Sequence, residues 1–201
     1  MGRLVAYTSR AAAAEVRLPW SAICTNSRHW SRVGPLKALI SLAVLDTAPE
    51  RAYDDITRMA SMLCGTPIAL ISLIDERRQW FKSRVGLAVQ ETARELAFCA
   101  HAIQRSGEVM VVNDAAEDER FKFNALVTDD PRIRFYAGSP ILTTGGHALG
   151  TVCVIDRVPR QLPHYQVHLL RHLSSEVAKL LEARLTLTPA RSIAQRQGTK
   201  N

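Results

Sequence analysis

The 201-residue chain has only four cysteines, Cys24, Cys64, Cys99 and Cys153. No two of them form a CxxC pair, so neither a zinc knuckle nor a disulfide framework is indicated, and a reduced, cytoplasmic protein is expected. No run approaches ~18 consecutive apolar residues, which argues against a transmembrane helix. The alanines at 11–14 run straight into Glu15 without a secretory cleavage pattern. Residues 1–35 are rich in Arg and Ser and poor in acids; transit peptides share this composition, but so do disordered leaders. The chain also lacks GxSxG, HExxH and paired-carboxylate patterns. Gly145-Gly146 has neither the spaced glycines nor the Lys-Ser/Thr of a phosphate loop.

Acidic residues are scarce at the two ends. Residues 1–37 hold six Lys/Arg and one acid, and residues 189–201 hold three Lys/Arg and none. The stretch 38–188 carries 17 Lys/Arg against 18 Asp/Glu. The formal charge of +7 therefore belongs to the termini, and the central part is close to neutral. A nucleic-acid-binding domain concentrates its charge on a folded face, so no nucleic-acid partner is expected.

The most informative stretch is Pro67–Asp156. Two of its segments, 67–75 and 149–156, are apolar at successive positions, as in strands buried on both faces. Between them lie AFCAHAI (97–103), DERFKFNALV (118–127) and IRFYAGSPIL (133–142), which mix aromatic and polar side chains in the manner of small-molecule pockets. Gly34-Pro35 marks a boundary. Leu36, Leu39, Ile40 and Ala43 predict a first helix, and Tyr53, Ile56, Ala60 and Leu63 a second, ended by Gly65. Strands are predicted over 67–75, 79–85, 109–112, 134–142 and 147–156, with a loop over 85–94 and a short helix around 97–103. Segment 115–132 reads as irregular, with one or two helical turns. A long helix runs from about Pro163 to Leu185, with Val167, Leu170, Leu173, Val177, Leu180 and Leu181 as its apolar stripe. The order predicts an α+β layer arrangement: helices from both ends of the domain on one face of an antiparallel sheet, the middle segments on the other. Residues 1–35 are expected to be an irregular extension, 36–187 the folded domain and 188–201 a disordered basic tail.

These residues resemble the GAF domain family, in the bacterial form found ahead of sensor histidine kinases and diguanylate cyclases. The resemblance runs over roughly 36–185, through LISLAVLDTAPE, ITRMASMLCGTPIALISLIDERRQWFKSRVGL, FCAHAI, VVNDAAEDERFKFNALV, IRFYAGSPI and HALGTVCVID. It implies a central antiparallel sheet of five to six strands, terminal helices on one face and a ligand cup on the other. It further implies a regulatory role in signal transduction, a homodimer through the terminal helices and a separate kinase or cyclase as output partner. It leaves the ligand and any cofactor open, since relatives bind cyclic nucleotides, bilins, haem or other small molecules. With no output domain after the last helix, a stand-alone sensing module is expected, or a fragment whose partner is encoded elsewhere.

The candidate ligand-binding residues are Trp80, Phe98, Cys99, His101, Asp114, Arg120, Phe121, Asn124, Phe135, Tyr136 and Cys153. On a helix Cys99 and His101 point about 200° apart, which rules them out as a nucleophile–base pair. His101 reads either as a donor to a ligand or as a structural histidine bonded to backbone. Arg120 reads either as the partner of an anionic ligand or as the partner of Asp114 or Asp118, holding the segment shut. Phe135 and Tyr136 are strand neighbours and face opposite sides, as do Trp80 and Phe81. Cys153 reads as a small hydrophobe within a strand. His164, His168 and His172 lie away from the apolar stripe and read as a solvated or dimer-facing surface rather than a metal site.

Bilin-binding relatives place His directly after the attachment cysteine, whereas Ala100 follows Cys99. A redox enzyme such as a free methionine sulfoxide reductase is the enzymatic alternative, although Cys64, Cys99 and Cys153 do not match that spacing. A ligand-free interaction or dimerisation module is the third possibility. The expected function is a non-catalytic, small-molecule-sensing regulatory domain.

Overall fold

A computed structural model describes residues 33–105 and 107–187. Helices α1 (Val33–Ser41) and α2 (Arg51–Cys64) precede strands β1 (Ile68–Ile74), β2 (Arg78–Val85) and β3 (Glu91–Ala93). A 3-10 turn over Arg94–Leu96 leads into the short helix α3 (Phe98–Ala102). Strand β4 (Met110–Val112), helix α4 (Ala125–Thr128), strands β5 (Phe135–Leu142) and β6 (Ala148–Asp156), and helix α5 (His164–Leu187) complete the domain. The six strands form one antiparallel sheet in the order β3-β2-β1-β6-β5-β4.

The two segments apolar on both faces become β1 and β6, the middle strands of the sheet. Every side chain of both is buried, as strands covered on both faces require. Their backbones approach so closely at the Leu73–Gly150 pair that a Cβ on Gly150 would lie 1.8 Å from the Ser72 carbonyl oxygen.

Alternation along the strands sorts the two faces. Ala69, Ile71 and Leu73 of β1, Phe135, Ala137 and Ile141 of β5, and Val152 and Val154 of β6 join one core. Tyr53, Ala60 and Cys64 of α2 and Leu170, Leu173, Val177 and Leu181 of α5 complete it. The three long helices thus cover one face. The opposite face carries Leu70, Ser72, Tyr136, Gly138, Thr151 and Cys153, which lie beneath α3 and the 113–132 segment.

Several boundaries differ from the sequence reading. Helix α1 begins at Val33 and includes Gly34-Pro35, because proline in a first turn gives up only an N–H that has no helical partner. The loop expected over 85–94 contains β3, an edge strand paired with Arg78–Trp80. The buried stripe of α2 is Tyr53, Thr57, Ala60 and Cys64, while Leu63 is 50% exposed. The predicted αL cap at Gly65 is present, with φ 63°. Of the expected N-terminal extension only 33–35 fall within the described residues, and the expected basic tail lies outside them. Among the described residues no helix is long and apolar enough to cross a membrane.

Candidate functional site

The centre of the sheet face opposite the long helices is built on β1, β5 and β6. Register places Ser72 beside Thr151, and Leu70 beside Cys153 beside Gly138. Tyr136 lies two residues before Gly138 on the same face of β5. A Cβ at Gly138 would stand 2.1 Å from the Tyr136 hydroxyl oxygen and 2.6 Å from Cζ. Glycine therefore provides the space in which the tyrosine ring lies along its own strand.

That ring carries its hydroxyl to Cys99 on α3. Tyr136 donates to Cys99 Sγ at 3.3 Å, and Thr151 donates to the same sulfur at 3.0 Å. Cys153 Sγ lies 3.8 Å from Cys99 Sγ. Burial opposes ionisation of Cys99, but the Cys153 thiol and the Ser72, Thr151 and Tyr136 hydroxyls outweigh it and bring the thiol down to about 6. Cys153 moves the other way, as the donor to Cys99 and through its own burial. Burial, then the charge on the sulfurs, raises Tyr136 well above its ordinary range. Ser72 Oγ is buried without a well-aligned hydrogen-bond partner, as are Gln79 Oε1 and Thr92 Oγ1.

Aromatic rings close the cluster. Phe98 and Phe121 stack with centroids 4.0 Å apart and planes 12° apart. Phe98 lies 5.3 Å from Tyr136, and His101 meets Phe121 edge-on at 4.9 Å. Burial lowers the His101 pKa, Arg120 lowers it further, and Asp118 opposes the shift. Arg120 grips Asp118 through Nε at 2.9 Å and Nη2 at 2.6 Å while standing 5.0 Å over the Phe121 ring. Asn124 caps α4 by accepting from the Leu126 N–H, and its Nδ2 donates to the Leu96 carbonyl at 3.0 Å. The covering segment is thus fixed to the 3-10 turn before α3.

Seven candidates meet here: Phe98, Cys99, His101, Arg120, Phe121, Tyr136 and Cys153. Asn124 and Asp114 have local backbone roles, since the Asp114 carboxylate accepts from the Ala116 N–H at 3.0 Å. Arg120 chooses Asp118 over Asp114. Trp80 and Phe135 do not belong to this group. Trp80 pairs with Leu73 across β1–β2, and both Trp80 and Phe135 join the helix-side core. A strand residue whose register partner faces the helices must face them too. Cys153 is a partner of Cys99 rather than a passive apolar residue.

Sequence reasoning missed Ser72, Thr151 and Gly138. The Tyr-x-Gly spacing of Tyr136 and Gly138 was the available signal for the last of these. The space expected to be hollow is filled by Phe98, Phe121 and Tyr136, all at most 3% exposed. Two surface clefts, of about 560 and 330 Å3, lie elsewhere: one at the β1–β2 turn beside Glu91 and Thr92, the other between α2 and β2 around Asp54, Arg58 and Arg84. His164, His168 and His172 are exposed on α5. Among the described residues, no group of three or more His, Cys, Asp or Glu could hold a metal ion.

The sequence pattern of the GAF domain family matches residues 48–181. Over 162 residues the chain is 42% identical to a cyclic di-GMP phosphodiesterase of Pseudomonas aeruginosa, covering 80% of this chain. The chain spans only 27% of that relative's length. Among solved structures it resembles the GAF domain of an Acinetobacter phosphoenolpyruvate-protein phosphotransferase (TM-score 0.56, 16% identity, 76% of this chain and 96% of that one). It also resembles a free methionine-R-sulfoxide reductase of Neisseria meningitidis (TM-score 0.56, 17% identity, 81% of this chain and 99% of that one). At these identities the likeness establishes the fold alone, and the fold is common to a reductase and a phosphotransferase domain.

Proposed function

Because this chain belongs to the GAF domain family, a signalling family, we propose that it is a regulatory sensor domain that receives a small molecule beneath the 113–132 segment and performs no catalysis. The observation that carries this reading is the closed assembly of Phe98, Phe121 and Tyr136 over buried hydroxyl and thiol groups. Its cover is held to the domain by identifiable contacts, among them Asn124 to the Leu96 carbonyl, the Phe98–Phe121 stack, the Ala115 N–H to the Arg134 carbonyl and Arg134 Nη1 to the Val127 carbonyl. A guest that displaces Phe121 finds apolar walls and converging donors, the composition of a ligand site. Such a ligand shifts the domain between closed and open forms only if it binds the two unequally.

The activity in the Pseudomonas relative's name belongs to a protein of which this chain spans about a quarter. We read this chain as the counterpart of a regulatory part, acting on a kinase, cyclase or phosphodiesterase output. Cytoplasmic placement and a homodimer through the terminal helices belong to the same proposal. Exposed Met59, Met62 and Leu63 on α2 and Tyr165 on α5 support the dimer.

The test is thermal melting of the full chain with cyclic di-GMP, cyclic AMP and cyclic GMP. The reading expects at least one of these to raise the melting temperature by several degrees, and Phe121→Ala to change that response. Flat melts, together with methionine sulfoxide reduction that is lost in Cys99→Ser, would overturn it in favour of an enzyme. The fully packed cup favours a second reading, an association module. That reading expects flat melts, no turnover and a dimer that weakens when Met62 and Tyr165 become polar.

A further inference from the structure

We propose that Cys99 is a peroxide-oxidised residue and that Cys153 resolves it into an intrachain disulfide. This inference does not depend on whether a guest enters the cup. It starts from the placement of two buried cysteine sulfurs 3.8 Å apart, on α3 and the central strand β6. Two hydroxyls, from Tyr136 and Thr151, make their aligned hydrogen bonds to Cys99 Sγ, at 3.3 and 3.0 Å, while Cys153, also within their influence, acts as a donor to Cys99. A sulfur that accepts several O–H donors is the one that carries thiolate character, and thiolate is the form that attacks peroxide. The low value of Cys99 and the raised value of Cys153 agree with that division. Cys64 provides the contrast: it is buried against the long helices and pushed up to about 11 by burial alone.

The chemistry balances with a hydroperoxide as the oxidant. The Cys99 thiolate attacks one peroxide oxygen, the O–O bond breaks, and the leaving oxygen departs as water or an alcohol once protonated. Cys99 is then a sulfenic acid, oxidised by two electrons. The Cys153 thiol gives up its proton and attacks the Cys99 sulfur, so the S–S bond forms and hydroxide leaves as water. The peroxide has gained the two electrons that the two thiols have lost.

The sulfurs must approach from 3.8 Å to the ~2.05 Å of a disulfide. Cys153 is fixed by pairing with Leu70 and Gly138 on either side. Cys99 sits on a helix of five residues with no side-chain cap at its N-terminus, so α3 is the element that moves. The pair is buried at the contact between α3 and β6, and Phe98, next to Cys99, stacks on Phe121, so oxidant reaches Cys99 when the Phe121-bearing segment swings away. Oxidation then removes the thiolate that Tyr136 and Thr151 bind, and it ties α3 to the sheet.

The test uses the full chain treated with hydrogen peroxide under native conditions, followed by intact mass and non-reducing peptide mapping. The expected result is a loss of about 2 Da that dithiothreitol reverses, with Cys99 and Cys153 in one linked peptide pair. Cys64→Ala leaves this unchanged and Cys99→Ala abolishes it. In Cys153→Ala the Cys99 sulfenic acid persists and is captured by dimedone, while melting curves confirm that each variant is folded. The proposal is overturned if the folded wild type shows no such loss of mass, if the linkage runs through Cys64 or Cys24, or if dimedone in Cys153→Ala labels a residue other than Cys99.

Discussion

Gly138→Ala tests whether Tyr136 needs the empty space beside it. The backbone at 138 is not among the positive-φ positions, so alanine meets no conformational penalty there. Replacing glycine at such a position favours folding by about 0.4–1 kcal/mol through the unfolded chain. Against this stands a Cβ 2.1 Å from the Tyr136 hydroxyl oxygen, 2.6 Å from Cζ and 3.0 Å from Cε1. The ring must leave its rotamer. Overpacking of this kind costs about 1–3 kcal/mol. Displacing the hydroxyl from Cys99 leaves a buried donor unpaired, a further ~1–3 kcal/mol. We therefore expect a net loss of about 1–5.5 kcal/mol, read as a lower urea midpoint with an unchanged slope. The decisive measurement is a double-mutant cycle with Tyr136→Leu. If the ring is the obstacle, Gly138→Ala in the leucine background costs less than about 0.5 kcal/mol or stabilises. An equal cost in both backgrounds would refute the steric argument, since the penalty would then come from a neighbour other than Tyr136.

Three further outcomes follow from the same geometry. Phe121→Ala removes a ring that is 1% exposed and stacked on Phe98; we expect a loss of about 3–5 kcal/mol in denaturant titration, or faster amide exchange confined to 113–132 if that segment opens alone. Lys82 has a side chain with no exposure and donates to Thr47 Oγ1, the Ala48 carbonyl and Glu50 Oε1, so Lys82→Met is expected to cost about 2 kcal/mol and to loosen the α1–α2 connection in hydrogen exchange. His101, with its pKa lowered by burial and by Arg120, favours the neutral form in the folded state. Its contribution is complete above the unfolded value near ~6.5 and fades as pH falls towards the lower folded value. Protection factors at 118–124, corrected for the intrinsic pH dependence of amide exchange, should therefore fall as the pH drops below about 6.5, and His101→Gln should flatten that dependence.

The layers were legible in the sequence because the pattern of burial is a physical property of strands and helices. Segments 67–75 and 149–156 carry apolar residues on both alternating faces, the pattern of strands covered on both sides. The stripe of α5 repeats at helical spacing, and the helix follows it. What stayed hidden was decided by register. Trp80 and Phe81 are one residue apart, and nothing local states which faces the helices; the β1–β2 pairing and its bulge between Ile71 and Ser72 decide it. Phe135 and Tyr136 pose the same choice. In α2, Leu63 and Cys64 compete for one buried position, and the smaller side chain takes it against the sheet. The cluster around Cys99 was half legible. Tyr136, Cys153 and Cys99 were recognised singly, but no spacing in the chain announces that a tyrosine on β5 and a threonine on β6 donate to the same sulfur on α3. Edge strand β3 was missed because three residues pairing at a sheet margin carry too short an alternation to be read.

Strand β5 presents Tyr136 to the cup and Phe135, Ala137, Ser139 and Ile141 to the long helices, so it is the direct physical connection between the candidate site and α5. Its one buried polar link to that helix is the pair Ser139 Oγ and Ser174 Oγ, 2.8 Å apart. Ser174 also donates to the Arg171 carbonyl at 3.0 Å. A hydroxyl has a single hydrogen, so with that proton committed to its own helix Ser174 accepts and Ser139 donates. This direction makes the two alanine variants unequal. Ser139→Ala removes a donor and leaves Ser174 still bonded to Arg171, a loss of about 0.5–1.5 kcal/mol. Ser174→Ala leaves the Ser139 hydroxyl buried, at 2% exposure, without its acceptor, which raises the cost to about 1–3 kcal/mol. In the double variant no donor is stranded, and its stability should lie above the sum of the two losses. Urea titration of the four proteins measures this directly. Equal single losses that add would mean that the pair contributes nothing, and β5 would then be joined to α5 by apolar packing alone.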